Sequence, residues 1–170
     1  AGVVDTGELI HPRVEAEIAV VTKTALKGPD CDIAAVMDAI DFVVPAIEII
    51  DSRYENFNFD LKSVIADNTS ASRFVIGGRT ADVADLDLPT LGVVLEKNGE
   101  VCETGAGAAV LGDPAASVAM LANMLARSGR EIPAGTLILT GGITAAVPVE
   151  AGDHVSARFA DIGTVNVSFK

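Results

Sequence analysis

Apolar and polar positions alternate cleanly from Val14 to Val21. Val14, Ala16, Ile18 and Val20 fall on one face and Glu15 and Glu17 on the other, the period of a half-buried strand. A second apolar run, Phe42 to Ile50, reads as a strand carrying one charge, Glu48, and one proline, Pro45. Proline donates no hydrogen bond, so this strand is expected at a sheet edge or at a bulge. Asp32 to Ile40, behind the Gly28-Pro29 break, reads as a short helix.

Farther on, Leu91–Lys97 and Glu100–Glu103 flank Asn98-Gly99, a strong hairpin signal. A helix follows, with Asp113 as its cap, Pro114 in its first position and Val118, Leu121, Ala122 and Leu125 in one stripe before Gly129 ends it. Leu137–Leu139 is a short strand running into Gly141-Gly142. Val155-Ala157-Phe159 and Val165-Val167-Phe169 alternate as a closing hairpin around Asp161-Ile162-Gly163. The stretch Asp51 to Asn58 is too polar for a core. No repeat or linker interrupts the pattern, so residues 1–170 are expected to form a single domain of the α+β class, rich in strands.

Composition narrows the partners. The chain has 24 acidic against 12 basic residues, a net charge of −12, and shows no basic cluster, which argues against nucleic acid. No apolar run approaches the roughly 20 residues of a membrane span. With six Phe, one Tyr and no Trp, the core must come from Val, Ile, Leu and Ala. Cys31 and Cys102 form no paired motif and read as free thiols in a reducing cytoplasm. The glycosylation-type triplets at Asn68 and Asn166 read as chance matches in that setting.

Glu15 and Glu17, two apart on a strand, point the same way roughly 6 to 7 Å apart. Two carboxylates so placed repel unless a cation lies between them, and hard oxygen ligands favour Mg²⁺, Mn²⁺ or Ca²⁺. A solvated glutamate face is the alternative. Glu48 adds weight, because a lone charge in an apolar strand is costly if buried unpaired. It can complete a three-carboxylate site with open positions for substrate, or else face solvent or pair with Arg53. His11 and His154 are too isolated for a metal cluster and read as structural. Asp67-Asn68-Thr69-Ser70 is a polar turn with several donors. Gly105-Ala106-Gly107 lacks the third glycine of a dinucleotide fingerprint, and Thr140-Gly141-Gly142 can bring backbone amides to an anion or be a plain turn.

His11-Pro12-Arg13-Val14-Glu15-Ala16-Glu17, then Glu48-Ile49-Ile50-Asp51-Ser52-Arg53 and Ala66-Asp67-Asn68, resemble the fumarylacetoacetate hydrolase superfamily, in its hydratase and decarboxylase branch. Gly105 to Ala109, Leu111-Gly112 and Pro148 to Asp153 extend the likeness over essentially the whole chain. The resemblance implies a β-roll of mixed sheets with a few flanking helices. It implies that Glu15, Glu17 and Glu48 ligate Mg²⁺ or Mn²⁺, that Ser70 contacts substrate and that Arg53 orients a carboxylate or pairs with a ligand glutamate.

Arg53 to Phe57 and Thr140 to Pro148 resemble the decarboxylases of the branch more than its hydratases. The implied reaction is decarboxylation of an α-keto dicarboxylate, 2-oxo-3-hexenedioate (4-oxalocrotonate), to 2-hydroxypenta-2,4-dienoate in meta-cleavage of aromatic compounds. Hydration of 2-hydroxypenta-2,4-dienoate is the alternative. The resemblance further implies a homo-oligomer, a complex with the pathway hydratase, and an N-terminal segment with a lysine motif that this chain is expected to lack. That expectation keeps a third reading open, a non-catalytic fragment that binds metal or a partner.

Overall fold

The computed structural model describes residues 2–78 and 80–170. The strands are β1 (Gly2–Val4), β2 (Arg13–Thr22), β3 (Ile40–Ile50), β4 (Ala71–Ile76), β5 (Gly92–Lys97), β6 (Glu100–Ala106), β7 (Leu137–Leu139), β8 (Val147–Pro148), β9 (His154–Phe159) and β10 (Gly163–Phe169). The α-helices are α1 (Ile33–Ala39), α2 (Leu61–Ala66) and α3 (Pro114–Ala126). One sheet runs in the order β1-β10-β9-β5-β6 and the other in the order β4-β3-β2-β7, with β8 also on β2. Among the described residues only β1 and β10 pair in parallel; the other ladders are antiparallel. This is the mixed-sheet α+β architecture expected from the pattern.

The alternation in β2 explains how the sheets meet. Val14, Ala16, Ile18 and Val20 join Ile47 and Ile49 of β3 in one apolar cluster with Leu95, Val155, Ala157, Val165 and Val167 of the other sheet. Side chains on the two inner faces therefore interdigitate as in sheet-on-sheet packing. Val36 of α1 and Val118 and Ala122 of α3 close the same cluster. α3 begins as its capping residue predicts, Asp113 accepting from the Ala115 N–H at 2.8 Å, and Asp32 caps α1 in the same way through the Ala35 N–H at 2.8 Å. Asn98 and Gly99 both take positive φ, the requirement of the tight hairpin between β5 and β6.

Pro45 corrects the expectation for its strand. β3 is interior, paired with β2 along its whole length and with β4 from Ala46 to Ile50. The proline is tolerated because β4 ends at Ile76, opposite Ala46, so the missing N–H falls where the ladder has stopped. Its carbonyl still accepts from the Gly77 N–H at 2.8 Å. The pattern also missed β4, because Phe74 and Ile76 are exposed on this edge strand and no in-out alternation develops.

Residues Gly107–Ala126 are apolar and long enough, by composition, to match a membrane span. The α-helix within them is only Pro114–Ala126, about 20 Å at 1.5 Å per residue. A bilayer core is about 30 Å thick, and the helix packs on α1 instead.

Candidate metal centre

The face of β2 turned away from the shared core carries Glu15 and Glu17. Antiparallel register sets Glu48 of β3 directly opposite Glu15, and Ala46 opposite Glu17. Like charges facing each other across a ladder destabilise it, yet here each of the three residues offers a carboxylate oxygen within 4.8 Å of the other two. The surroundings deepen the repulsion. Ala19, Val44 and Ala46 are buried on the same face, with Phe42, Leu137 and Leu139 packed on them. Glu17 is only 2% exposed.

Burial is the largest influence on Glu17. With the neighbouring charges of Glu48 and Glu15, and against the Gly141 N–H, it pushes the pKa up to about 8. Glu15 is also raised, by burial and then by Glu48. Three clustered carboxylates offering only hard oxygen donors fit a divalent cation of the Mg²⁺ class, whose charge would relieve both the burial and the repulsion. Glu17 is too deeply buried for the solvated-face alternative to describe it.

The segment after β7 shapes this pocket. Thr140 Oγ1 donates to the Ile18 carbonyl at 2.8 Å, and Thr144 Oγ1 accepts from the Ala16 N–H at 3.1 Å. Between them, the chain leaves the ladder at Glu17, and the Gly141 N–H donates to the Glu17 carboxylate at 2.8 Å. The anion expected for the Thr140-Gly141-Gly142 amides is thus, at Gly141, a carboxylate of the chain itself. At the other end of the row, the Arg13 guanidinium lies 4.3 Å from the centre of the Phe57 ring, which stacks on His11 at 4.8 Å. His11 Nε2 bonds the Ser52 carbonyl at 2.9 Å. Its structural reading stands, and the polar stretch after β3 folds over the end of β2.

Arg53 and Ser70 meet in a second cluster, around Asp67. The Asp67 side chain is 1% exposed. It accepts from the hydroxyls of Ser52 at 2.8 Å and Ser70 at 2.9 Å, and from the Arg53 N–H at 3.3 Å. Arg53 also forms an ion pair with it through Nε and donates from Nη2 to the Asp67 carbonyl. Burial opposes the Asp67 charge, but the two hydroxyls and Arg53 outweigh it and hold the carboxyl below its usual range. Arg53 therefore pairs with Asp67 and not with Glu48, which removes that alternative for Glu48. Asn68, Thr69 and Ser70 all take positive φ, from 53° to 61°, at a cost of roughly 1 to 2 kcal/mol per non-glycine residue. Asn68 and Glu48 line one recess of about 270 Å³ beside Phe74 and Leu139.

The structure brings Glu15, Glu17 and Glu48 together, and it adds Asp67 as a hub that sequence reasoning missed. The signal available was the polar turn Asp67 to Ser70, which local pattern could not connect to Ser52 and Arg53.

The chain is similar to known proteins over nearly its whole length. Residues 4–170 match the model of the fumarylacetoacetate (FAA) hydrolase C-terminal family. The chain is 64% identical over 168 residues to 4-oxalocrotonate decarboxylase of Pseudomonas sp. (strain CF600), covering 99% of this chain and 64% of that protein. It is 36% identical to 2-keto-4-pentenoate hydratase 1 of Dechloromonas aromatica (strain RCB), covering 98% of this chain and 64% of the relative. Among solved structures, 4-oxalocrotonate decarboxylase from Pseudomonas putida G7, complexed with magnesium and adipate, superposes with a TM-score of 0.97 at 61% identity. The match covers 100% of this chain and 65% of that one. This chain thus spans a little under two thirds of the length of these relatives, and it belongs to the fumarylacetoacetate hydrolase C-terminal family.

Proposed function

We propose that this chain is the metal-binding core of a carbon–carbon lyase that decarboxylates 4-oxalocrotonate to 2-hydroxypenta-2,4-dienoate in aromatic meta-cleavage. The observation that carries the reading is the convergence of Glu15, Glu17 and Glu48 on one point, in a chain 64% identical to a decarboxylase of that substrate. The three carboxylates would hold Mg²⁺ or Mn²⁺. When bound, such a cation supplies Lewis acidity toward the oxygens of an α-keto acid.

The substrate's distal carboxylate is vinylogous to its C2 oxo group. When CO₂ leaves, the electron pair of the broken bond passes through the alkene to the C2 oxygen, and protonation there gives the dienol product. The chain's contribution is placement. The buried apolar neighbours Ala19, Val44 and Ala46 keep one side of the site dry. Arg53, with N–H groups not used by Asp67, would orient a substrate carboxylate, whereas Ser70, whose hydroxyl proton is donated to Asp67, would act through that contact. The magnesium and adipate in the solved relative support a dicarboxylate ligand beside a divalent cation.

Hydration of 2-hydroxypenta-2,4-dienoate is the second reading, favoured by hydratase relatives at 36% identity. Incubating the whole protein with each substrate and Mg²⁺ separates the two. CO₂ release from 4-oxalocrotonate supports the decarboxylase; water addition to the dienoate with no CO₂ from the hexenedioate refutes it. Self-association and a complex with the pathway hydratase belong to the same proposal, supported by exposed Phe74 and Ile76 on the sheet face that bears Glu48. Light scattering alone and with the hydratase tests both. The free thiols of Cys31 and Cys102 suit a reducing cytoplasm.

A further inference from the structure

Beside the three glutamates, the same sheet face carries apolar side chains in a fixed grid. The ladders set Phe74 of β4 opposite Glu48 of β3, and Glu48 opposite Glu15 of β2. One step along, Ile76 faces Ala46 and Ala46 faces Glu17; the next step aligns Val44, Ala19 and Leu139 of β7. Residues two apart on a strand share a face. Phe74 and Leu139 therefore stand on the glutamate side, at the two ends of the order β4-β3-β2-β7. Both line the recess of about 270 Å³ that Glu48 also lines.

The two walls are held differently. Leu139 packs on the buried set Ala19, Val44 and Ala46. Phe74 is 54% exposed, one ladder position from Glu48, where facing Cβ atoms stand about 5 Å apart. A ring left this open contributes little to the fold, whose core takes Phe159 and Phe169 instead. The recess is smaller than the roughly 300 Å³ at which pockets for drug-sized ligands begin, so it suits a chain of a few carbons. Phenyl and isobutyl walls give water no hydrogen bonds. A hydrocarbon segment that displaces water from between them therefore gains affinity.

We infer that Phe74 and Leu139 are specificity-determining residues that receive the carbon chain of the α-keto acid, beside the carboxylates of the metal centre. This rests on the keto-acid reading of that centre and adds an apolar subsite to it. The chain of the ligand is read there by burial of apolar surface, independently of any second carboxylate.

Calorimetry on the whole Mg²⁺-loaded protein tests this with two monocarboxylates, pyruvate and 2-oxopentanoate, which differ only in hydrocarbon. Burying one methylene is worth about fourfold in affinity, so 2-oxopentanoate should bind about tenfold tighter than pyruvate. Phe74→Ala should cut that preference to about threefold, with pyruvate and Mg²⁺ changed by less than about twofold, and Phe74→Leu should restore most of it. If Phe74→Ala does not fold, Leu139→Ala removes the facing wall and should give the same cut. An unchanged preference overturns the inference, and so does an equal loss of both ligands. Light scattering on the same samples reads self-association: a preference that falls only because the variant has changed its oligomeric state assigns the ring to a subunit contact and overturns the inference. A wild-type protein that binds both ligands equally refutes the apolar subsite and leaves the metal reading standing. One that binds neither with Mg²⁺ refutes the keto-acid reading and the inference with it.

Discussion

Gly142 lies so close to the carboxylate of Glu15 that a Cβ on it would stand 2.6 Å from Oε2 and 3.0 Å from Cδ. With the Gly141 N–H on Glu17, one glycine pair after β7 therefore sets two of the three carboxylates. Gly142→Ala is expected to displace the Glu15 side chain and weaken Mg²⁺ binding by about tenfold, the scale seen when groups that orient metal ligands are altered. Titration calorimetry reads this directly, and unchanged affinity would show that Glu15 is free to move.

Glu48→Gln should act in opposite directions on two measurements. Removing a carboxylate lowers Mg²⁺ affinity strongly. Removing a charge that raises the pKa of both Glu15 and Glu17 relieves repulsion, so the metal-free variant should melt higher than wild type at pH 8. Thermal melts with EDTA and calorimetry with Mg²⁺ check the pair. A variant that is less stable without metal and binds Mg²⁺ normally contradicts the triad.

The pH dependence of the metal-free protein follows from Glu17. Its pKa rises from 4.5 to about 8 on folding, through burial first and then the neighbouring carboxylates. Between those values the native state holds a proton that the unfolded chain has released, so stability falls as pH rises. The contribution is complete below the unfolded value and lost above about 8. Mg²⁺ requires the deprotonated form, so its apparent affinity should rise across the same window, by up to about tenfold per pH unit for one displaced proton. Urea denaturation from pH 5 to 9, with and without Mg²⁺, measures both slopes.

Asp51 anchors the segment leading into β2. Its carboxylate accepts from the Ile10 N–H at 2.9 and 3.0 Å and from the His11 N–H at 2.8 Å. Asp51→Ala strands these donors and should cost about 2 kcal/mol in urea denaturation. Mg²⁺ affinity should fall much less, because Asp51 lies outside the triad.

Much of this protein was written in local pattern. The alternation in Val14 to Val21 determined which face of β2 is buried and that Glu15 and Glu17 share the other. Asp113 and Pro114 marked a helix start because capping is satisfied within a few residues, and Asn98-Gly99 marked its hairpin because backbone conformation is local. Family resemblance read from short motifs named Glu48, Ser70 and Arg53 as well. Only the tertiary structure decided how these groups meet. The β2–β3 register sets Glu48 against Glu15, and no local signal encodes register between strands so far apart in sequence. Pro45 proved interior because its neighbour strand stops one residue short of it. Asp67 became the partner of Ser52 and Arg53 only when β4 returned alongside β3. Those contacts, like the glycine pair against the glutamates, join segments that hydrophobic period cannot connect, because period reports which face a residue takes and not what packs against it.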